Sequence, residues 1–123
     1  MTAHRRHVLI GAAALATALV GRGWPSPERA ATGALLRSVR ARASARIVGA
    51  TYLATHPDEA DPALLRRAIV ADLAPAAQRD QAELDRALAR RVRADFLERR
   101  TVKVDGWVLS RTEARLCALC RLA

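Results

Sequence analysis

Three prolines, at positions 57, 62 and 75, interrupt a stretch whose apolar residues otherwise recur every third or fourth place. A proline lacks the N–H that the helical ladder needs and pushes the residue before it out of helical geometry. The spacing therefore predicts several short helices, and the interruption at Pro75 excludes a long coiled coil. From Thr32, the residues Leu36, Val39, Ala43, Ile47, Ala50 and Ala54 predict one apolar stripe on one helix. Arg37, Arg40, Arg42 and Arg46 fall beside or opposite that stripe, where water solvates them. Thr55-His56-Pro57-Asp58 ends this helix, and Asp61-Pro62 starts the next. An aspartate accepts the orphan N–H groups of a first turn, and a proline at the first helical position gives up no bond. Leu64, Leu65, Ala68, Ile69 and Leu73 supply the buried face of that helix. A third helix is predicted from about Ala76 to Arg99, with the stripe Ala77, Leu84, Leu88, Val92 and Phe96. Asp80, Glu83, Arg86 and Arg90 alternate in sign on its solvated faces.

The pattern changes at Thr101. Val102 and Val104 alternate with polar neighbours, Asp105-Gly106 follows, and Trp107-Val108-Leu109 forms a second β-prone run. Two such runs around Asp-Gly predict a hairpin, because the turn calls for positive φ at its centre. Ser110-Arg111-Thr112-Glu113 is a capping-box pattern that opens a last helix containing Leu116, Cys117, Ala118, Leu119 and Leu122. Trp107 is expected to plug the core, since tryptophan carries the largest apolar surface; its other role would be an anchor on a partner surface, together with Arg111 and Arg115.

Of the 63 apolar residues 28 are alanine, which leaves 35 larger ones, seven of them in the first twenty positions. That is enough for one small core and too little for a second domain, a nucleotide-binding sheet or an eight-stranded barrel. The fold expected is mainly α: a small domain of about four helices over residues 32–123, with a short β-hairpin before the last helix.

The N-terminus carries a different signal. His4-Arg5-Arg6-His7 precedes thirteen uncharged, mostly apolar residues, Val8 to Val20, bounded by Arg22 and Pro25. A helix of that run measures about 20 Å, short of the roughly 30 Å hydrocarbon core of a membrane. A cationic start and a short apolar run fit a secretory signal. Arg5-Arg6-His7-Val8-Leu9 resembles the twin-arginine export motif, and the Ala-, Gly- and Thr-rich run that follows is similar to signals of that pathway. Ala16-Thr17-Ala18 and Gly21-Arg22-Gly23 both offer small residues for cleavage, and retention as an uncleaved anchor stays open. The division expected is a signal at 1–23, a linker at 24–31 and the helical domain at 32–123. The tail from Thr101 to Leu116 is similar to the ending of small twin-arginine-exported proteins of undefined activity. The resemblance implies contact with the export machinery, transient membrane contact through residues 8–20 and a periplasmic or secreted destination.

Candidate chemistry is sparse. Cys117 and Cys120 form a C-x-x-C on the last helix. A redox pair needs its first thiol near a helix N-terminus, and Cys117 stands about two turns in. Haem attachment needs a histidine where Arg121 stands. Zinc needs two more ligands, and His56 is the one histidine beyond the signal. Two small core-facing residues are the simplest reading, with a thiol pair and a metal site as alternatives. His56 lies among Asp58, Glu59 and Asp61, without a nucleophile tied to it by spacing. The six glycines are scattered and form no phosphate loop, so no cofactor is expected.

Net charge is +9, with twenty arginines among the 21 cations, and four aromatics are too few for a base-stacking platform. The leading expectation is a non-catalytic exported accessory protein, a small subunit or escort of a larger periplasmic redox enzyme. The alternatives are a basic helical protein that binds nucleic acid, a partner an exported chain would not meet, and a thiol-redox or metal-handling protein using the C-x-x-C.

Overall fold

A computed structural model describes residues 26–123; Arg5, Arg6, the apolar run 8–20 and both cleavage candidates lie outside the described residues. Among the described residues there are five α-helices: α1 (Pro27–Arg37), α2 (Arg42–Thr55), α3 (Pro62–Val70), α4 (Gln81–Leu97) and α5 (Arg111–Leu122). Strands β1 (Thr101–Val104) and β2 (Trp107–Ser110) form an antiparallel hairpin just before α5. Residues 31–123 make one compact unit, mainly helical as the periodicity predicts.

The first helix differs from expectation at both ends. It starts at Pro27, inside the segment 24–31 expected to be a linker, because Ser26 caps it: Arg29 N donates to Ser26 Oγ at 3.2 Å. It stops at Arg37, where one continuous helix to Ala54 was expected. No glycine or proline marks that stop. Gln81 Nε2 donates to the Ala34 carbonyl at 3.0 Å, and Ser38 Oγ donates to Asp85 Oδ1 at 2.6 Å. Gln81 of α4 thus takes a carbonyl that another helical turn would have used, Asp85 holds the Ser38 side chain, and α2 begins afresh at Arg42. The break also rotates the buried face: Leu35, Ala45, Gly49 and Tyr52 are buried, whereas Ile47 of the expected stripe is exposed.

The helix starts predicted by capping chemistry are present. Ala63 N donates to Asp61 Oδ1 at 2.9 Å, with Pro62 in the first turn of α3. Leu65 and Ile69 are its buried residues, Leu73 is buried just beyond its end, and Leu64 and Ala68 of the expected face are half-buried. In α4 the start shifts from about Ala76 to Gln81, because Ala77 lies in a separate 3-10 turn (Pro75–Gln78) and Asp80 caps the helix through Ala82 N at 3.0 Å. Its buried face is Leu84, Ala87, Leu88 and Asp95, so Phe96 of the expected stripe stands nearly half exposed.

The hairpin pairs Val102 with Leu109 and Val104 with Trp107. Asp105 and Gly106 take φ of 51° and 81°, the positive values that the turn requires. Ser110 Oγ accepts from Glu113 N, and Glu113 Oε2 accepts from Ser110 N, both at 3.0 Å, which completes the capping box of α5. Helix α5 is the centre of the core, burying Ala114, Leu116, Ala118 and Leu119. It packs closely on α2: a Cβ built on Gly49 would lie 2.1 Å from the Cys117 carbonyl oxygen.

Candidate functional site

Trp107 is not the core plug expected of it. It is 75% exposed, although its strand partner Val104 is buried. Paired residues share a face of a hairpin, so both side chains leave the ribbon on the helix-facing side. Trp107, however, stands next to the Asp105-Gly106 turn, at the tip of the hairpin, where helix cover runs out. The indole borders a groove of about 340 Å³ with Ile47 and Val48 of α2 and with Val104 and Leu109 of the hairpin. Ile47 is 71% exposed, so the groove joins two large apolar side chains in water.

Arg111 and Arg115, grouped with Trp107 in the sequence reading, line a different cavity. It has a volume of about 400 Å³ and is also lined by Tyr52, His56, Leu64 and Val102. Tyr52 Oη and Arg115 Nε both donate to the Glu59 carboxylate, the latter at 2.7 Å. Burial pushes Glu59 up, but the Tyr52 and Arg115 hydrogen bonds and the Arg115 charge outweigh it and leave its pKa below the ordinary value. Burial, together with the Glu59 hydrogen bond and charge, raises Tyr52 to about 12. Glu59 is therefore a fixed anion with both oxygens engaged, and Tyr52 a neutral donor. The His56 ring stacks on the Tyr52 ring at 4.2 Å, with Nδ1 3.1 Å from the Tyr52 carbonyl oxygen. Thr55 Oγ1 lies 3.0 Å from the same Nδ1. This group was invisible as a unit in the sequence because Arg115 lies 56 positions from Glu59.

Asp95 is the other group that the sequence reading missed. It is buried, and its Oδ2 accepts from Thr112 N at 2.9 Å and from Thr112 Oγ1 at 2.7 Å. Its Oδ1 accepts from Arg91 Nε and Nη2 at 3.0 and 2.8 Å. A carboxylate from α4 thus satisfies the first turn of α5, where the helix dipole favours negative charge. A helix-period count treats Asp95 as surface; an arginine one turn before it, Arg91, at the spacing of an intrahelical ion pair, is the sequence hint, and it too reads as a surface pair. The arrangement ties elements together and leaves neither oxygen for chemistry.

Cys117 and Cys120 are free thiols; Cys120 is buried and Cys117 half-buried. Burial, with smaller effects of Cys120 and Glu113, pushes Cys117 up to about 11. Burial also raises Cys120 against the opposing charges of Arg42 and Arg46. A thiol held protonated is a poor nucleophile and a poor metal ligand, which favours the core-residue reading. Among the described residues no cluster of three or more His, Cys, Asp or Glu side chains is placed to hold a metal ion, and no helix is long and apolar enough to cross a membrane.

The chain matches no family model, and comparisons with curated proteins and with solved structures found no significant relative.

Proposed function

We propose that this protein is a non-catalytic accessory protein of an exported redox enzyme, a small subunit or escort that meets its larger partner on the Trp107 face. The observation that carries the reading is the exposed indole beside Ile47 over an apolar groove. Aromatic anchors that leave water on association are the residues that dominate protein interfaces. Singly exposed apolar residues are ordinary, but two large ones flanking one groove form a patch that a partner would cover. The chain's charge of +9 fits a partner surface that presents an apolar side chain within an acidic rim.

Export through the twin-arginine route supports the redox class of the partner, because that route carries proteins already folded, often with cofactors inserted. Residues 1–23 act as the signal in this reading, and the destination is periplasmic or secreted. The groups best placed for chemistry speak for a non-catalytic role: Glu59 is neutralised by Arg115, and both cysteines are held as thiols.

Two experiments test the two halves. Arg5→Lys with Arg6→Lys should block export of a fused reporter that must fold in the cytoplasm; unchanged export removes the twin-arginine signal. A photo-crosslinking amino acid in place of Ile47 should form an adduct with an exported oxidoreductase in cells, and Trp107→Ala should abolish it. Because Trp107 is exposed, that substitution should cost less than about 1 kcal/mol of stability. Adducts confined to cytoplasmic proteins, or adducts indifferent to Trp107→Ala, refute the docking reading.

A further inference from the structure

We propose that the cavity over Tyr52 and α5 is a binding site for a small organic carboxylate with a short apolar body, separate from the Trp107 face. Arg111 and Arg115 stand four residues apart on α5, so both project from one face of the helix and both line the cavity. Arg115 is held in place by its 2.7 Å bond to Glu59 and is about three-quarters buried, which fixes its position before any ligand arrives. Glu59, in turn, has one oxygen on Tyr52 and one on Arg115, so of the two carboxylates on the lining it is Asp58, and not Glu59, that faces an incoming anion unpaired. Arg111 is exposed and brings a further cation whose guanidinium suits a carboxylate in a two-point bond.

The remaining walls set the body of the ligand. Leu64 and Val102 are half-buried apolar side chains, and both line the cavity beside the stacked Tyr52 and His56 rings. A volume of about 400 Å³ admits an anion with several carbons, and sites of this size bind by apolar contact with a few polar groups fixing orientation. Inorganic phosphate would leave the apolar walls unfilled. Asp58, also on the lining, opposes a dianion more than a monoanion.

The test uses the full-length chain, isotopically labelled, and amide spectra titrated at constant ionic strength with hexanoate, acetate or inorganic phosphate. Hexanoate should shift the amides of Leu64, Val102 and Arg111 saturably and bind at least tenfold more tightly than acetate or phosphate. Arg111→Gln, a change on an exposed side chain whose folding the same spectra verify, should weaken hexanoate tenfold or more. Trp107→Ala should leave hexanoate affinity unchanged. Absence of a saturable shift, equal binding of acetate or phosphate, or indifference to Arg111→Gln would each overturn the proposal.

Discussion

Gly49→Ala sets two effects of opposite sign against each other. In an exposed helix alanine is better than glycine by about 1 kcal/mol, so propensity alone predicts stabilisation. At Gly49 the added Cβ would lie 2.1 Å from the carbonyl oxygen of Cys117, 2.5 Å from its carbon and 2.8 Å from Ala118 N. All three are backbone atoms in the middle of α5, which cannot rotate aside. Ordinary contact begins near 3.4 Å, so α2 and α5 must move apart by more than 1 Å at this point. That gap would run through the buried seam that contains Ala45, Tyr52, Ala118 and Leu119. A radial gap of about 0.5–1 Å forfeits a quarter to a half of each contact's attraction. Overpacking typically costs about 1–3 kcal/mol, and more where backbone opposes backbone. With a backbone clash at or beyond the upper end of that range, a net loss of about 2 kcal/mol or more remains after the propensity gain, a large share of the roughly 5–15 kcal/mol of a small domain. Urea unfolding followed by circular dichroism measures it as a lower midpoint. Gly33→Ala is the matched control: its Cβ would meet only the flexible end of Arg37 at 3.5 Å, and stability should rise by up to about 1 kcal/mol. If Gly49→Ala is as stable as the parent chain, the close seam between α2 and α5 is wrong.

Asp95→Ala should cost about 3–5 kcal/mol, because it leaves the part-buried Arg91 without its carboxylate and strips the first turn of α5, whereas Thr112→Val should cost less by removing one hydrogen bond; chemical denaturation of both orders them. Tyr52 ionises near 10 when unfolded and at about 12 when folded, so its contribution is complete below pH 10 and is lost as pH rises through 12, at most about 3 kcal/mol. Glu59, lowered by its partners, works on the acid side: its contribution is present above the ordinary glutamate pKa and fades as pH falls through the folded value. Tyr52 is the chain's one tyrosine, so tyrosinate absorbance reads it directly, and Tyr52→Phe should remove its share of the alkaline loss; a normal titration would contradict its bond to Glu59. Ser110→Ala should cost about 0.5–2 kcal/mol in thermal or urea unfolding, and an unchanged midpoint would mean that the capping box contributes nothing.

The features that the sequence by itself determined are those whose causes are local. Asp61-Pro62, Asp105-Gly106 and the Ser110–Glu113 box act over two to four residues, and each produces the cap or turn that its chemistry dictates. The mainly helical class follows in the same way from a period of three to four between prolines. Tertiary structure decided where causes are distant in the chain. The stop after Arg37 comes from Gln81 and Asp85, more than forty positions away, so no local breaker announces it and the stripe drawn through Ile47 pointed to the wrong face. Asp95 is buried because Thr112 and Arg91 satisfy it, an exchange of partners that a polarity scale cannot register. Trp107 has the alternation of a core residue and the Asp105-Gly106 turn puts it at the hairpin tip, but its exposure depends on how far other elements extend beneath it. The cavity over Tyr52 likewise exists only because α5 returns Arg111 and Arg115 to a loop folded some fifty residues earlier. Periodicity gives the side of an element on which a residue stands; what covers that side is set by the packing of other elements.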